Sequence, residues 1–578
     1  EWAAIEDRIA ADDVDLLLIS PERLANRDFR ENMLGRLGAS AGLLVVDEAH
    51  CISDWGHDFR ADYRRIERVL DLLPRTVPVL GCTATANDRV VDDVVAQLGE
   101  NLDVFRGPLA RAGLGLHVLD LGTPAARLAW LAEVVPRLEG SGIVYCLTVG
   151  DAEVVAAWLV DQGLAATAYH GSSDGREEVE QALLENRVKV VAATSALGMG
   201  FDKPDLPFVI HFQSPGSVIA YYQQVGRAGR RLPSSVGALL CGEEDRDIHD
   251  WFISSAFPTA DECERVVATL EARDGFVRFT DIEAAVNVRH SRLQTLLKNL
   301  EVDGVVVSDR GKYLRTPRPF AYDVARTEAV TALRRREQAQ MRDYIKLSSG
   351  CRMAFLRAAL DDPHVVACGI CDLCAGPLLP AEAETKRTIE AAAFLRRRPH
   401  VIEPRKQLAD RSSIPQGERL APGRALCRWG DGGWSVLVKR GKQVEGQFAA
   451  EIVDVVVDLV RTWRPEPNPE WITWVPSLNH PELVPRLARS VAAGLGLPAV
   501  GAVVRTRHTA SQNTMENSTQ QLANVTGAFA VEGVLAGPCL LIDDIVDSRW
   551  TLTHVGGLLR RAGCAAVVPF ALADTEGR

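Results

Sequence analysis

Residues 45–60 read VVDEAHCISDWGHDFR. The apolar run LLVVD at 43–47 leads straight into Asp47-Glu48-Ala49-His50, so the acidic pair is expected at the carboxyl end of a buried strand. Trp55, His57 and Phe59 then crowd the next few residues. Paired carboxylates at a strand end suit a magnesium–nucleotide site. One holds Mg2+ through its water shell, and the other orients or deprotonates the attacking water. Taken alone, the pair more often marks a solvated acidic strand end, and only its context reverses that.

Working outward, short apolar runs recur: VPVLGCTATA (77–86), SGIVYC (141–146), VKVVAATSA (188–196) and FVIHF (208–212). Amphipathic stretches at 151–162 and 175–186 lie between them. This alternation predicts parallel sheets with crossover helices, whose ligands gather at the carboxyl ends of the strands. Asp47 and Glu48 are at such an end, and so are Thr83-Ala84-Thr85.

The 578 residues are enough for three to five domains at roughly 100–200 residues each. No run of about 18 apolar residues marks a membrane span, and the acidic, polar start is no signal peptide. The chain lacks an initiator Met, and DLLLIS (15–20) predicts a strand almost at once, so it is expected to begin inside a domain. A net charge of −12 argues against broad nonspecific nucleic-acid binding and leaves room for local basic tracks. Twelve cysteines in a chain this long do not form a disulfide framework, and four cluster with metal spacing, which points to a reducing cytoplasm.

The motifs together carry a resemblance. VVDEAH looks like the DEAH-type Walker B motif of superfamily-two helicases, and CISDWGHDFRADY is similar to the aromatic-rich loop of RecQ helicases. LLLISPERL (16–24), GCTATA (81–86), ATSALGMGFDKPDLPFVIHF (193–212) and YYQQVGRAGR (221–230) resemble further RecQ motifs in the right order, covering roughly residues 10–245. The resemblance implies two RecA-like lobes, at 1–110 and 111–252, with the first N-terminally incomplete. It assigns Asp47, Glu48, His50, Gln223, Arg227 and Arg230 to catalysis, the arginines because their fork contacts phosphoryl oxygens. Gly198, Gly200 and Asp202 fall in the segment that senses nucleotide and DNA between lobes.

The aromatic loop gives the opening stretch its meaning. Such a motor reports single-stranded DNA to its ATP site, and a stacking side chain beside the catalytic acid does so without reading sequence. Trp55 and Phe59 are the candidate stackers, and His57, Asp58 and Arg60 link loop to nucleotide. Thr83 and Thr85 offer hydroxyls for a coupling relay. No G-x-x-x-x-G-K-[ST] loop occurs: RGKY (310–313) and RGKQ (440–443) lack its first glycine and its hydroxyl. In the family that loop precedes the Walker B strand, so the natural chain is expected to extend N-terminally by roughly a hundred residues.

Residues 259–316 read as helix, short strand, helix-turn-helix and hairpin, a winged-helix pattern. Arg289, His290, Arg292 and Lys298 would line its recognition helix, and Tyr313 is the wedge nearest the hairpin tip. Winged helices also serve as protein–protein spacers. Cys351, Cys368, Cys371 and Cys374 then form C-x16-C-x2-C-x2-C, four thiolates suited to a tetrahedral structural Zn2+. This looks like the RecQ tetracysteine site. The order departs from the family, where the zinc element usually follows the motor and a winged helix comes after, and that puts the family's DNA-docking geometry in doubt.

After a linker, GPLLPAEAETK (376–386), and a basic stretch, FLRRRPHVIEPRKQL (394–408), the α/β pattern returns. A strand at 539–542 is expected to end in Asp543-Asp544, with a helix from about Thr551. With QQLANVTGAFAV (520–531), this resembles the ComF-like phosphoribosyltransferases over about 425–575. Asp543 and Asp544 suit ribose hydroxyls, and Asp547, Ser548 and Thr551 lie in the 5′-phosphate loop. Family members carry two threonines and a glycine where this chain has Asp547, Ser548 and Arg549.

The expected fold is α/β multidomain: the two lobes, a winged-helix-like module (253–320), a helical zinc module (321–378) and a linker with a phosphoribosyltransferase-like domain (379–578). The resemblance implies an ATP-dependent DNA helicase, moving 3′ to 5′, in DNA repair or recombination. Its cofactors would be ATP, Mg2+ and Zn2+, with phosphoribosyl pyrophosphate for the last domain. Its partners would be single-stranded and tailed or forked DNA, in the cytoplasm at a bacterial nucleoid. The alternatives are a DNA-stimulated ATPase or translocase that does not unwind, and a nonenzymatic DNA-binding scaffold.

Overall fold

The computed structural model describes residues 2–11, 13–26, 29, 33, 41–53, 61–70, 73–74, 76–99, 102–107, 109–198, 200–398, 400–430 and 433–575. Contacts divide the chain into two compact units. One comprises Glu1–Ala260, Leu296–Val307 and Thr316–Glu384; the other comprises Asp261–Thr295, Ser308–Arg315 and Thr385–Arg578. The stretch 253–320 is thus divided between them.

In the first unit, β1 (Leu44–Val46) pairs in parallel with β2 (Val79–Gly81). Asp47 follows β1 and Cys82 follows β2, so the acidic pair and the threonine motif emerge side by side. Residues 15–20, expected as a strand, form none: Leu16 and Leu18 are 74% and 83% exposed. A strand exists only through ladder hydrogen bonds to a neighbour, and β1 and β2 form a two-stranded sheet without it.

The second lobe is more complete. β3 (Leu114–Asp120), β4 (Gly142–Tyr145), β5 (Ala166–Tyr169), β6 (Val190–Ala193), β7 (Phe208–His211) and β8 (Ser235–Cys241) form a sheet in the order β3-β8-β7-β4-β6-β5. Its pairings are parallel. β4, β6 and β7 are buried along their whole length, as continuous apolar runs require when helices cover both faces. Thr123, Thr148 and Ser217 cap the helices Pro124–Val134, Val149–Asp161 and Val218–Val225, each side chain accepting a first-turn N–H. The helices Val324–Ile345 and Arg352–Ala359 close onto this lobe, and Met341, Tyr344, Met353, Leu356 and Leu360 join its core.

The second unit holds β9 (Val277–Arg278), followed by the helix Phe279–Ala285. The helix His290–Val302 and β10 (Val306–Asp309) come next and are each divided between the units, and β11 (Lys312–Arg315) pairs antiparallel with β9. Its larger part is a sheet of β12 (His400–Ile402), β13 (Gly423–Arg428), β14 (Trp471–Trp474), β17 (Cys539–Val546) and β18 (Val567–Asp574), in the order β12-β13-β18-β17-β14. All its pairings are parallel except β12 on β13. A separate antiparallel pair is formed by β15 (Val503–Arg505) and β16 (Phe529–Val531). β17 runs through Asp543-Asp544 to Val546 rather than ending before them, because its ladder with β18 continues to Asp574. Among the described residues no helix is long and apolar enough to cross a membrane.

Candidate nucleotide, metal and anion sites

At the end of β1 the backbone turns sharply. Glu48 has φ 49° and ψ 45°, a left-handed conformation that costs a side-chain-bearing residue roughly 1–2 kcal/mol. Two contacts hold the turn: the Glu48 N–H donates to Asp47 Oδ1 at 2.9 Å, and the Ala49 N–H donates to the Cys82 carbonyl at 2.8 Å. His50 is fully buried. Its Nδ1 lies 2.9 Å from Thr83 Oγ1 and 3.3 Å from Glu48 Oε2, and its Nε2 lies 3.7 Å from Cys51 Sγ. Thr83 Oγ1 also accepts the Thr85 N–H at 3.3 Å, and Thr85 Oγ1 is buried without a partner. His50 thus joins the acid of β1 to the threonines after β2. Asp47 stays exposed, as a carboxylate that meets Mg2+ through water requires.

The aromatic-loop residues Trp55, His57, Asp58, Phe59 and Arg60 lie outside the described residues. In the second lobe, Arg227 is 8% exposed and donates to the Phe201 carbonyl at 2.6 Å, and Arg230 pairs with Asp202 at 2.7 Å. Gly200 and Gly229 take φ of 86° and 70°, which explains glycine there. Gln223 lies in the helix Val218–Val225, and Gly198 lies in the segment after β6. The structure brings Arg230 and Asp202 together, and it engages both arginines within their own lobe.

The four cysteines converge. The sulfurs of Cys351, Cys368, Cys371 and Cys374 lie within 4.8 Å of one another. Backbone N–H groups of Ala354 and Cys368 point at Cys351 Sγ, at 3.4 and 3.2 Å, and that of Arg352 points at Cys371 Sγ at 3.4 Å. Such donors favour thiolates over thiols. Arg352 ties the cluster to its surroundings: it pairs with Asp372 at 3.0 Å, and Asp372 accepts the Val118 N–H of β3 at 3.0 Å. Geometry and donor set fit a tetrahedral Zn2+.

The four basic residues expected to line the recognition helix are all paired. Arg289 meets Glu516 at 2.6 Å, His290 meets Glu283 at 2.8 Å, Arg292 meets Glu262 at 2.9 Å, and Lys298 pairs with Asp62. Tyr313 is not at the hairpin tip, which Arg310 and Gly311 form with positive φ. It is half-buried with its ring 6.5 Å from that of Phe279.

At the carboxyl end of β17, burial first and the neighbouring Asp544 charge second push the Asp543 carboxyl well above the usual range. Asp544 is 6% exposed and pairs with Lys442 at 2.8 Å. Lys442 belongs to the turn Gly441–Glu445, and nothing in its local sequence marks it out. Asp547 accepts from Thr575 Oγ1 at 2.7 Å, and the Ser548 carbonyl accepts from Arg405 Nε at 2.8 Å. Arg549 has φ 66°, so it occupies a left-handed position that suits glycine, and its guanidinium donates to the Glu403 carbonyl at 3.2 Å. The helix that follows starts at Trp550, one residue before Thr551.

Comparison with known proteins bears on the first unit. Residues 3–94 match the DEAD/DEAH box helicase family, and residues 127–231 match the helicase conserved C-terminal domain. These are two helicase lobes. The relatives they share are DNA helicases of RecQ type. The chain is 36% identical over 259 residues to a Bacillus subtilis protein named "Probable ATP-dependent DNA helicase RecS", covering 44% of this chain and 51% of that one. It is 33% identical over 233 residues to the ATP-dependent DNA helicase RecQ of Pasteurella multocida, covering 40% and 36%. It is 39% identical over 229 residues to the RecQ-like DNA helicase blm-1 of Caenorhabditis elegans, covering 38% and 23%. The match therefore spans about half the length of the Bacillus relative and less of the other two.

Proposed function

We propose that this chain works as an ATP-dependent DNA helicase of RecQ type, acting in DNA repair or recombination. The observation that carries the reading is the buried His50, in contact with both Glu48 and Thr83. Glu48 aligns the water that attacks the terminal phosphate, and Asp47 meets Mg2+ through its water shell. Bound ATP supplies the free energy. His50 passes any shift of the acid to Thr83, so the hydrolytic and strand-engaging states of the first lobe change together. Arg227 and Arg230 complete the charge balance from the second lobe once the lobes close and their present partners exchange. Trp55 and Phe59 stack on bases and report the strand to Glu48. The four cysteines hold Zn2+, which stabilises the helical module and takes no part in hydrolysis. The protein expressed from its complete reading frame should hydrolyse ATP at a rate that single-stranded DNA raises at least tenfold. An equal rate with and without DNA would refute the coupling.

A second reading concerns the C-terminal domain, and Arg549 at positive φ favours it. Such a loop between strand and helix is where a phosphoribosyltransferase seats the 5′-phosphate of its substrate. We propose that Asp543, Asp544 and the loop Asp547–Thr551 bind a ribose phosphate with Mg2+, the best candidate being phosphoribosyl pyrophosphate. Strain at Arg549 and the acid at Asp547 impair the loop for transfer, so binding is expected without turnover. Calorimetry of the whole chain should show phosphoribosyl pyrophosphate binding that Asp543→Ala plus Asp544→Ala removes. Absence of heat with it and with every nucleoside monophosphate would reduce the domain to a scaffold.

A further inference from the structure

The turn between the helices Phe279–Ala285 and His290–Val302 leads into the helix whose N-terminal residues a winged helix presents to DNA, and here that turn is occupied. Asn517 is 3% exposed. Its Nδ2 donates to the carbonyls of Glu283, Val286 and Val288, at 3.0, 2.8 and 3.2 Å. Its Oδ1 accepts the Gln520 N–H at 2.9 Å and caps the helix Ser518–Val525, which fixes the amide's orientation. Gln520 Nε2 donates to the Ala284 carbonyl at 2.7 Å. Asn287 answers with both ends of its amide, donating to the Thr514 carbonyl at 2.8 Å and accepting the Glu516 N–H at 2.7 Å. Arg289, the first basic residue of the DNA-reading set, is neutralised by Glu516.

The contacts described between the two segments are hydrogen bonds and one ion pair. The two apolar cores of the C-terminal domain draw their residues from 402–573 and none from 279–295. Amide–carbonyl contacts exchange with water at little net cost, so such an interface opens far more readily than an apolar one. Glu516 also presents to Arg289 the charge that a phosphate would present.

We propose that residues 514–520 are an intramolecular competitor of duplex DNA. The segment occupies the turn 283–290 and holds Arg289 until a duplex displaces it. This rests on the reading of the chain as a DNA motor and adds a control that the motor itself does not contain. The competitor is therefore expected to act on duplex-containing DNA, which a winged helix engages, and not on single strands.

Two substitutions in the complete chain separate this from mere packing. Glu516→Ala frees Arg289 at a half-exposed position where folding is not at stake. Asn517→Asp keeps the helix cap, since aspartate caps as well as asparagine, and replaces the amino donor with an acceptor facing three carbonyls. Anisotropy with a tailed duplex and with a single-stranded oligonucleotide reads both. Each variant should bind the tailed duplex about five- to tenfold tighter than the parent. For Glu516→Ala, the slope of log affinity against log salt should steepen by about one, for the phosphate Arg289 gains. Single-strand affinity should stay unchanged. Unchanged or weaker duplex binding by both variants, with single-strand binding intact, would overturn the proposal alone. Failure of parent and variants to bind any DNA would overturn it together with the helicase reading.

Discussion

Glu48→Gln is expected to lower DNA-stimulated ATP hydrolysis about a hundredfold or more while leaving nucleotide affinity within a few fold. Glutamine keeps the shape of the side chain, so the left-handed turn at 48 and its approach to His50 survive. What is lost is the charge that orients the attacking water. Steady-state hydrolysis and equilibrium binding of a fluorescent ATP analogue measure the two separately. A variant that hydrolyses ATP at more than a tenth of the parental rate would remove Glu48 from the chemistry. A variant that no longer binds nucleotide would show its role to be architectural. Replacing His50 with alanine should behave differently, with basal hydrolysis retained and stimulation by DNA lost, because the histidine joins Glu48 to Thr83.

The second large effect is on folding. Cys371→Ser should give protein that is insoluble or free of zinc. Cys371 is fully buried within the second-lobe core, its sulfur accepts the Arg352 N–H, and Arg352 anchors the helical module to β3 through Asp372. Binding free energy at a structural zinc site is folding free energy, of order 10 kcal/mol for small zinc modules, so a missing ligand costs more than a typical domain can spare. Metal content by atomic emission, and thermal melting with and without chelator, check this. Soluble variant protein that unwinds DNA without zinc would contradict the assignment.

What the sequence made legible was whatever its chemistry repeats locally. The strands β1, β2, β4, β6 and β7 fall within the apolar runs that marked them; β4, β6 and β7 are buried on both faces, which leaves a continuous apolar signature, whereas β1, expected as buried, leaves Val45 51% exposed because its sheet has only two strands. The four cysteines were readable from spacing alone, and their sulfurs meet. Residues 15–20 misled: LLLI has the pattern of a strand, yet pattern does not supply the neighbour a strand must bond to. Asp543 and Asp544 were placed after their strand rather than within it, since polar residues normally mark a strand's end and here the ladder to β18 continues past them. Lys442 was invisible because it reaches Asp544 across 102 residues of chain (544 − 442), with no local motif. The contacts of Asn517 with residues 283–288 were invisible for the same reason. Arg549 is the instructive middle case. The departure from the family's glycine was legible, but only the backbone shows φ 66° and hence the strain.

The central claim is that Glu48, His50 and Thr83 belong to a motor that separates DNA strands. Unwinding of a 3′-tailed duplex by the product of the complete reading frame, followed by loss of fluorescence energy transfer between labelled strands, tests it most directly. The account predicts ATP-dependent strand separation on the 3′-tailed substrate, little on a 5′-tailed one, and none with Glu48→Gln. DNA-stimulated ATP hydrolysis without strand separation on either substrate would contradict it and leave a translocase in its place.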